Sequence, residues 1–406
     1  MSAALAFRDA RIVCPDAGER HGDLFVAADG TIVGDCPPDV QEIACRGRVL
    51  IPGLVDLGVA AIDRAAFRAG GVVRVALMPD QSPVLDDPGV VQRAALIGRP
   101  DLWIHPVAAA TRGLEGRDLA EMAICRDAGA RAVGTGRGWI ADSGVMRRVL
   151  AYARDLDLPV IVHAEDGGLA AGAVATDGET ASRLGLPSAP ALAEPLAIAR
   201  DLMLAEDTGA RLHIRAVTTA AGAALVRTAK VRGVPVTCGV APTHLLLNDA
   251  AMSDFRTFAH LSPPLRSEED RRAVLAAVAD GTVDVLHSAH DPRGAEEKRL
   301  PFADSSAGAA GAAGLLAHGL GLVRDGVLPM QRLIAMLTRA PARLLGIDTG
   351  TLAPGMPADL VLVDPDAPWR IDSDTLPGRA GNTPFDGLPV QGRVLRVWKG
   401  GRELTA

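Results

Sequence analysis

Four histidines offer the most direct chemistry in this chain. His163, His213, His287 and His290 each fall near the end of a short apolar run. Clustered imidazoles bind zinc, and a catalytic zinc needs about three protein ligands plus an open position for water. Side chains alternate along a strand, so His213 and residue 216 point to opposite faces, and His290 points away from His287 and residue 289. At best His163 and His287 converge, which falls short of such a set; the remaining histidines read as core or pocket residues. Glu165 and Asp166, beside His163, have the chemistry of acid–base groups. Their place ahead of a helical stretch favours capping, because anions are stabilised at helix N-termini. Ser288 and Thr219 have no His–Asp pair at a known spacing, so nothing marks a nucleophilic triad. GTGRG at 134–138 lacks the Lys-Ser/Thr of a phosphate loop, and its glycines read as relief of crowding after a strand. HGLGL at 318–322 reads as packing within an apolar helical stretch.

The elements that position these residues follow a rhythm. Apolar runs recur at 49–58, 72–79, 101–109, 130–136, 158–164, 211–217, 234–242 and 283–291. Stretches with helical apolar spacing separate most of them, as at 116–129, 143–157 and 194–209. Strands alternating with helices imply parallel strands with crossover connections, and eight units imply a closed (β/α)₈ TIM-type barrel. The link at 59–71 is short and holds at most a stub of helix, so distortion is expected between strands one and two. Both chain ends read differently. Residues 4–13, 23–28 and 31–35 are β-type runs, and 350–366 and 393–404 are strand-and-turn sequences after two helical stretches at 305–323 and 328–345. Residues 1–50 plus 350–406 are therefore expected to form one small β-sandwich-like domain, with residues 51–349 forming the barrel between them.

Composition narrows the function. The chain has 406 residues, with 42 basic and 49 acidic side chains and a formal net charge of −7. No basic run suggests a nucleic acid or an anionic membrane as partner. No apolar stretch reaches spanning length, and the N-terminus has no signal pattern. Cys14, Cys36, Cys45, Cys125 and Cys238 are scattered and odd in number, which fits free thiols in a reducing cytoplasm.

Several segments together resemble the dihydroorotase family of the amidohydrolase superfamily, along essentially the whole chain. IPGLVD at 51–56 resembles its first barrel strand. MPDQSPVLDDP at 78–88, HAED at 163–166, SPPLRSEEDR at 262–271 and SAHDPRGAEEK at 288–298 resemble successive family motifs in order and spacing, and GTLAPGMPADLVLVDPD and GNTPFDG resemble its closing segments. The resemblance implies a zinc site at the strand ends. It would be built from a His-x-His on strand one, a carboxylate or carbamylated lysine on strand four, histidines on strands five and six, and a proton-shuttling aspartate on strand eight.

The chain departs from that pattern. Gly58 and Ala60 stand at the His-x-His positions, Thr135 and Gly136 on strand four, Ala216 on strand six and Ala289 on strand eight; His163 alone matches. At the positions that the family uses for substrate stand Ile62, Asp80, Ser262 and Arg293. A substrate carboxylate would meet an added anion at Asp80 and lose a bidentate arginine; Asp80 and Arg293 are expected to pair across the pocket. These departures lead to the expectation of a non-catalytic, pseudo-dihydroorotase subunit with no metal. By resemblance it would support aspartate carbamoyltransferase in pyrimidine biosynthesis, in the cytoplasm, as a homo- or hetero-oligomer. Two alternatives stand beside it: an active cyclic amidohydrolase of dihydroorotase or hydantoinase type with an atypical zinc site, and a small-molecule binding module on the same barrel.

Overall fold

The computed structural model describes residues 3–405; residues 1, 2 and 406 of the expected β domain lie outside the described residues. Eight parallel strands lie side by side in chain order: Leu54–Val59, Val72–Leu77, Trp103–Ala109, Ala132–Gly134, Val160–Val162, Leu212–Ile214, Val236–Val240 and Val285–Leu286. Seven fall inside the apolar runs of the sequence, and the first extends one residue past its run. Their neighbours pair in register as parallel ladders, and the ring is nearly closed by a single bridge between Val59 and His290. The architecture is a (β/α)₈ barrel.

Side chains complete what the last ladder lacks. The fully buried carboxylate of Asp56 accepts the Gly58 N–H at 3.1 Å, the Ser288 N–H at 3.0 Å and the Ser288 hydroxyl. The Ala60 N–H reaches the His290 carbonyl at 2.9 Å. Asp56 thus joins the first strand to the last, which explains a carboxylate inside an apolar run: its buried charge is matched by three donors.

Crossover helices begin where a capping side chain meets apolar periodicity. Asp63, Asp87, Asp142, Thr219 and Ser267 each accept a backbone N–H in the first turn of the helix that follows, which satisfies donors that no intrahelical carbonyl can reach. The helix expected at 116–129 is shorter, Met122–Asp127. Gly113 and Gly116 ahead of it take positive φ of 59° and 72°, so that the chain turns there instead of coiling.

The apolar run at 49–58 divides at Gly53. Val49–Pro52 belongs to a second sheet, whereas Leu54–Val59 opens the barrel. A β-carbon on Gly53 would lie 2.3 Å from Val73 Cγ2, so the chain passes too close to the second barrel strand for any other residue. The second sheet draws strands from both ends. Leu5–Cys14 pairs antiparallel with Gly18–Val26 and parallel with Val49–Pro52 and the unforeseen strand Gln41–Ala44. Leu360–Arg370 adds to Val49–Pro52, and Pro389–Lys399 adds to Leu360–Arg370. Phe7 and Trp398, from opposite ends of the chain, meet edge to face at 4.8 Å in its core. A buried pair, Arg74 Nε to Asp359 Oδ2 at 2.8 Å, ties the barrel to this sheet. Among the described residues no helix is long and apolar enough to cross a membrane.

Candidate active site

A cavity of about 380 Å³ opens at the carboxyl ends of the barrel strands, where barrel enzymes place their chemistry. Gly58, Ala60, Asp80, Ala216, Ala289 and Arg293 line it, as does Ser262. His163 does not line it but is bonded to Arg215, which does. Thr135 supports it by accepting the His163 N–H at 3.1 Å. Gly136, at φ +72°, presses on Asp80, and a β-carbon there would lie 2.5 Å from Oδ1; crowding relief is its role. Ile62 packs half-buried against the apolar core and does not line the cavity.

The histidines are committed elsewhere. His163 Nδ1 meets an Arg215 guanidinium nitrogen at 3.1 Å, and its Nε2 faces Glu165 at 3.5 Å. His287 donates from Nε2 to the Arg215 carbonyl at 2.8 Å and accepts the Ala289 N–H at Nδ1. Its ring also fills the space that a side chain at residue 58 would need: a β-carbon on Gly58 would lie 2.2 Å from His287 Nδ1. His213 is fully buried, bonded through Nδ1 to Thr237 Oγ1 at 2.8 Å. Burial pushes His213 down to about 3 and His287 to about 4, and lowers His163 from its ordinary value, so these rings are neutral. His290 packs against Phe67 and accepts the Ala312 N–H.

Glu165 does not cap a helix. It binds Arg266 at 2.9 Å in a buried cluster; burial alone would raise its carboxyl, but the His163 hydrogen bond and the Arg266 charge hold it at about 2. Asp166 is the cap, accepting the Gly168 N–H at 2.8 Å. Thr219 and Ser288 have no nucleophilic arrangement: the Thr219 hydroxyl donates to buried Glu194 at 2.8 Å, and that of Ser288 donates to Asp56.

The expected Asp80–Arg293 pair does not form. Asp291 takes Arg293 at 2.8 Å and Arg137 at 2.6 Å, because it stands between the two guanidinium groups. Asp80 Oδ1 instead accepts the Arg137 backbone N–H at 2.7 Å, and its Oδ2 has no hydrogen-bond partner. Arg137 and Arg215 are the side chains that sequence reasoning missed. Arg137 sits in GTGRG, read only for its glycines, and Arg215 directly precedes the expected ligand position Ala216. A charged residue at the end of a buried parallel strand was the available signal in LHIRAV.

These donors do not fit a catalytic metal. Gly58, Ala60, Ala216 and Ala289 offer no ligating atom, the imidazoles near them are already bonded, and no group of three or more His, Cys, Asp or Glu among the described residues could hold one.

The barrel, with its cavity at the strand ends and a second sheet from both chain termini, defines an amidohydrolase-type architecture. A family model described as "Amidohydrolase family" matches residues 110–404. The dihydroorotase of Pelobacter propionicus is 36% identical over 98% of each chain, and that of Pelotomaculum thermopropionicum is 38% identical over 98% of this chain and 97% of its own. A dihydroorotase-like protein of Pseudomonas aeruginosa is 38% identical over 96% of each. Among solved structures, the L-hydantoinase (dihydropyrimidinase) of Arthrobacter aurescens superposes with a TM-score of 0.86 at 23% identity, covering 99% of this chain and 96% of that one. The chain belongs to the amidohydrolase family, and within it to the dihydroorotases.

These relatives overturn the expectation of a non-catalytic subunit supporting aspartate carbamoyltransferase. Most of the end-to-end relatives are named as dihydroorotases, and the structural neighbours as hydantoinases and dihydropyrimidinases. They favour the cyclic amidohydrolase set beside it as an alternative.

Proposed function

We propose that the chain is a cyclic amidohydrolase, which opens or closes the amide ring of a small cyclic ureide in the cavity at the barrel mouth. The observation that carries this is the cavity itself, enclosed where seven family site positions converge within a chain related end to end to dihydroorotases. In ring opening, water adds hydroxyl to the ring carbonyl carbon and a proton to the departing nitrogen, and the C–N bond breaks. The residues present contribute binding and orientation: Arg215 offers donors, Asp80 Oδ2 an acceptor, and the apolar wall of Leu261 and Phe385 limits water. No step is assigned to a metal, because the donor set does not suit one.

A second reading has its own support. With every strand-end imidazole already hydrogen bonded, the cavity suits a binding module that holds its ligand without turnover. Purified protein assayed for turnover of dihydroorotate and hydantoins, with metal content measured in parallel, tests the enzyme. Turnover supports it. No turnover, together with a ligand-dependent rise in melting temperature, replaces it with the binding module.

A further inference from the structure

The cavity walls carry three guanidinium groups, Arg137, Arg215 and Arg293, against two carboxylates, Asp80 and Asp291. The lining histidines do not alter this balance: burial holds His244, His287 and His318 near 4, so they are neutral at pH 7. Arg137 and Arg293 share Asp291. Arg215 is left over. It forms no ion pair with any carboxylate among the described residues, and its one hydrogen-bond partner there is His163 Nδ1. A guanidinium has five donors in a planar fork that matches a carboxylate. Arg215 therefore brings a positive charge with no carboxylate in contact, and with most of its donors free, to a cavity wall beside Ala216; Asp80 and Asp291 act on it only at longer range. The opposite need lies at Asp80, whose Oδ2 is a buried acceptor without a donor. A buried unmatched polar atom in a native structure calls for a partner.

We propose that Arg215 is the anion anchor of this cavity, supplying fixed positive charge where the family's metal does not fit, and that the ligand is a small monoanion bearing a carboxylate for Arg215 and an N–H donor for Asp80. The proposal rests on the cyclic-ureide reading only for its ring; the charge pattern stands without it. It makes Asp80 an acceptor of nitrogen, which removes the conflict between that carboxylate and an anionic ligand.

Three probes separate the parts: dihydroorotate, dihydrouracil (the same ring without the carboxylate) and N-acetylglycine, an acyclic carboxylate with one N–H. Calorimetric titration of the wild type should show dihydroorotate binding about 10- to 100-fold tighter than dihydrouracil, the range expected for charge-assisted hydrogen bonds. Arg215→Met should erase that preference, weakening dihydroorotate far more than dihydrouracil. Asp80→Asn should weaken dihydrouracil more than dihydroorotate, because it weakens the acceptor for the ring N–H and also removes a negative charge from the anion's surroundings. If Arg215→Met does not fold, Arg215→Lys decides, because it keeps charge and loses the paired donors: a reduced preference supports the anchor, and an unchanged one overturns it. Equal binding of the two rings to the wild type overturns it as well. N-acetylglycine binding through Arg215 while both rings fail to bind would keep the anchor and sink the cyclic-amide reading. Ring amides bound and turned over with affinities untouched by Arg215→Met would do the reverse.

Discussion

Replacing Asp56 with alanine should loosen the barrel at its seam. Asp56 is fully buried and accepts two N–H groups and one hydroxyl, all across or beside the closure between the first and last strands. Alanine leaves the Gly58 and Ser288 N–H groups without an acceptor, at about 1–3 kcal/mol each. Part of that cost is offset because the buried carboxylate no longer has to be desolvated, so a net loss of about 2–5 kcal/mol is expected. A chain of 406 residues unfolds with roughly 2.1 cal/mol/K of entropy per residue, so each kcal/mol moves the melting temperature by only about 1 °C. The predicted fall is therefore about 2–6 °C by calorimetry at pH 7. Ser288→Ala removes one hydroxyl and should fall less. Hydrogen exchange should quicken at Ala60, whose N–H spans the same seam. A melting temperature for Asp56→Ala within 1 °C of wild type, with no change at Ala60, would refute the view that this carboxylate closes the ring.

Acid should act through Glu165. Its folded value lies near 2, below the ordinary carboxylate value, so its contribution is complete above about 4.5 and is lost as pH falls toward 2; in Glu165→Gln the melting temperature should vary less with pH across that window. Asp201 should show the opposite sign. Burial raises its carboxyl to about 6 despite Arg200, so its cost to stability is full above about 6 and absent below the ordinary value. Asp201→Asn should raise the melting temperature relative to wild type at pH 7.5, and the gain should vanish near pH 3.5; an equal gain at both would refute it. Gly58→His should destabilise the fold by about 1–3 kcal/mol through overpacking, and His287→Ala in the same chain should recover part of that loss, measured as a double-mutant cycle in urea.

The barrel was legible because its strands are buried on both faces and so read as short apolar runs, most of them followed by a capped helix. The break within the first run was not, because Gly53 is fixed by its closeness to Val73, a contact between segments that local sequence does not carry. The family site positions could be located through motif order, and seven of them line one cavity. Their electrostatics could not be read the same way. Pairing Asp80 with Arg293 followed from opposite charges at aligned positions, but Asp291 lies nearer to Arg293 and takes it. Arg215 escaped notice because attention fell on its neighbour Ala216, the residue expected to ligate. Glu165 was assigned to a helix end by local spacing, whereas its partner Arg266 is supplied by a distant segment.

The contact between Gly58 and His287 bears on how this chain can change. A lost ligand is usually pictured as a vacancy that one substitution refills. Here the His287 ring fills the space beside Gly58 and holds its own bonds to the Arg215 carbonyl and the Ala289 amide. A histidine placed at position 58 would collide before it could bind anything, so the order of substitutions matters: residue 287 must give way first, at a cost to packing and with nothing gained at that step. The contact works as a ratchet. It leaves easier routes to new chemistry through the cavity's arginines than through an imidazole at residue 58.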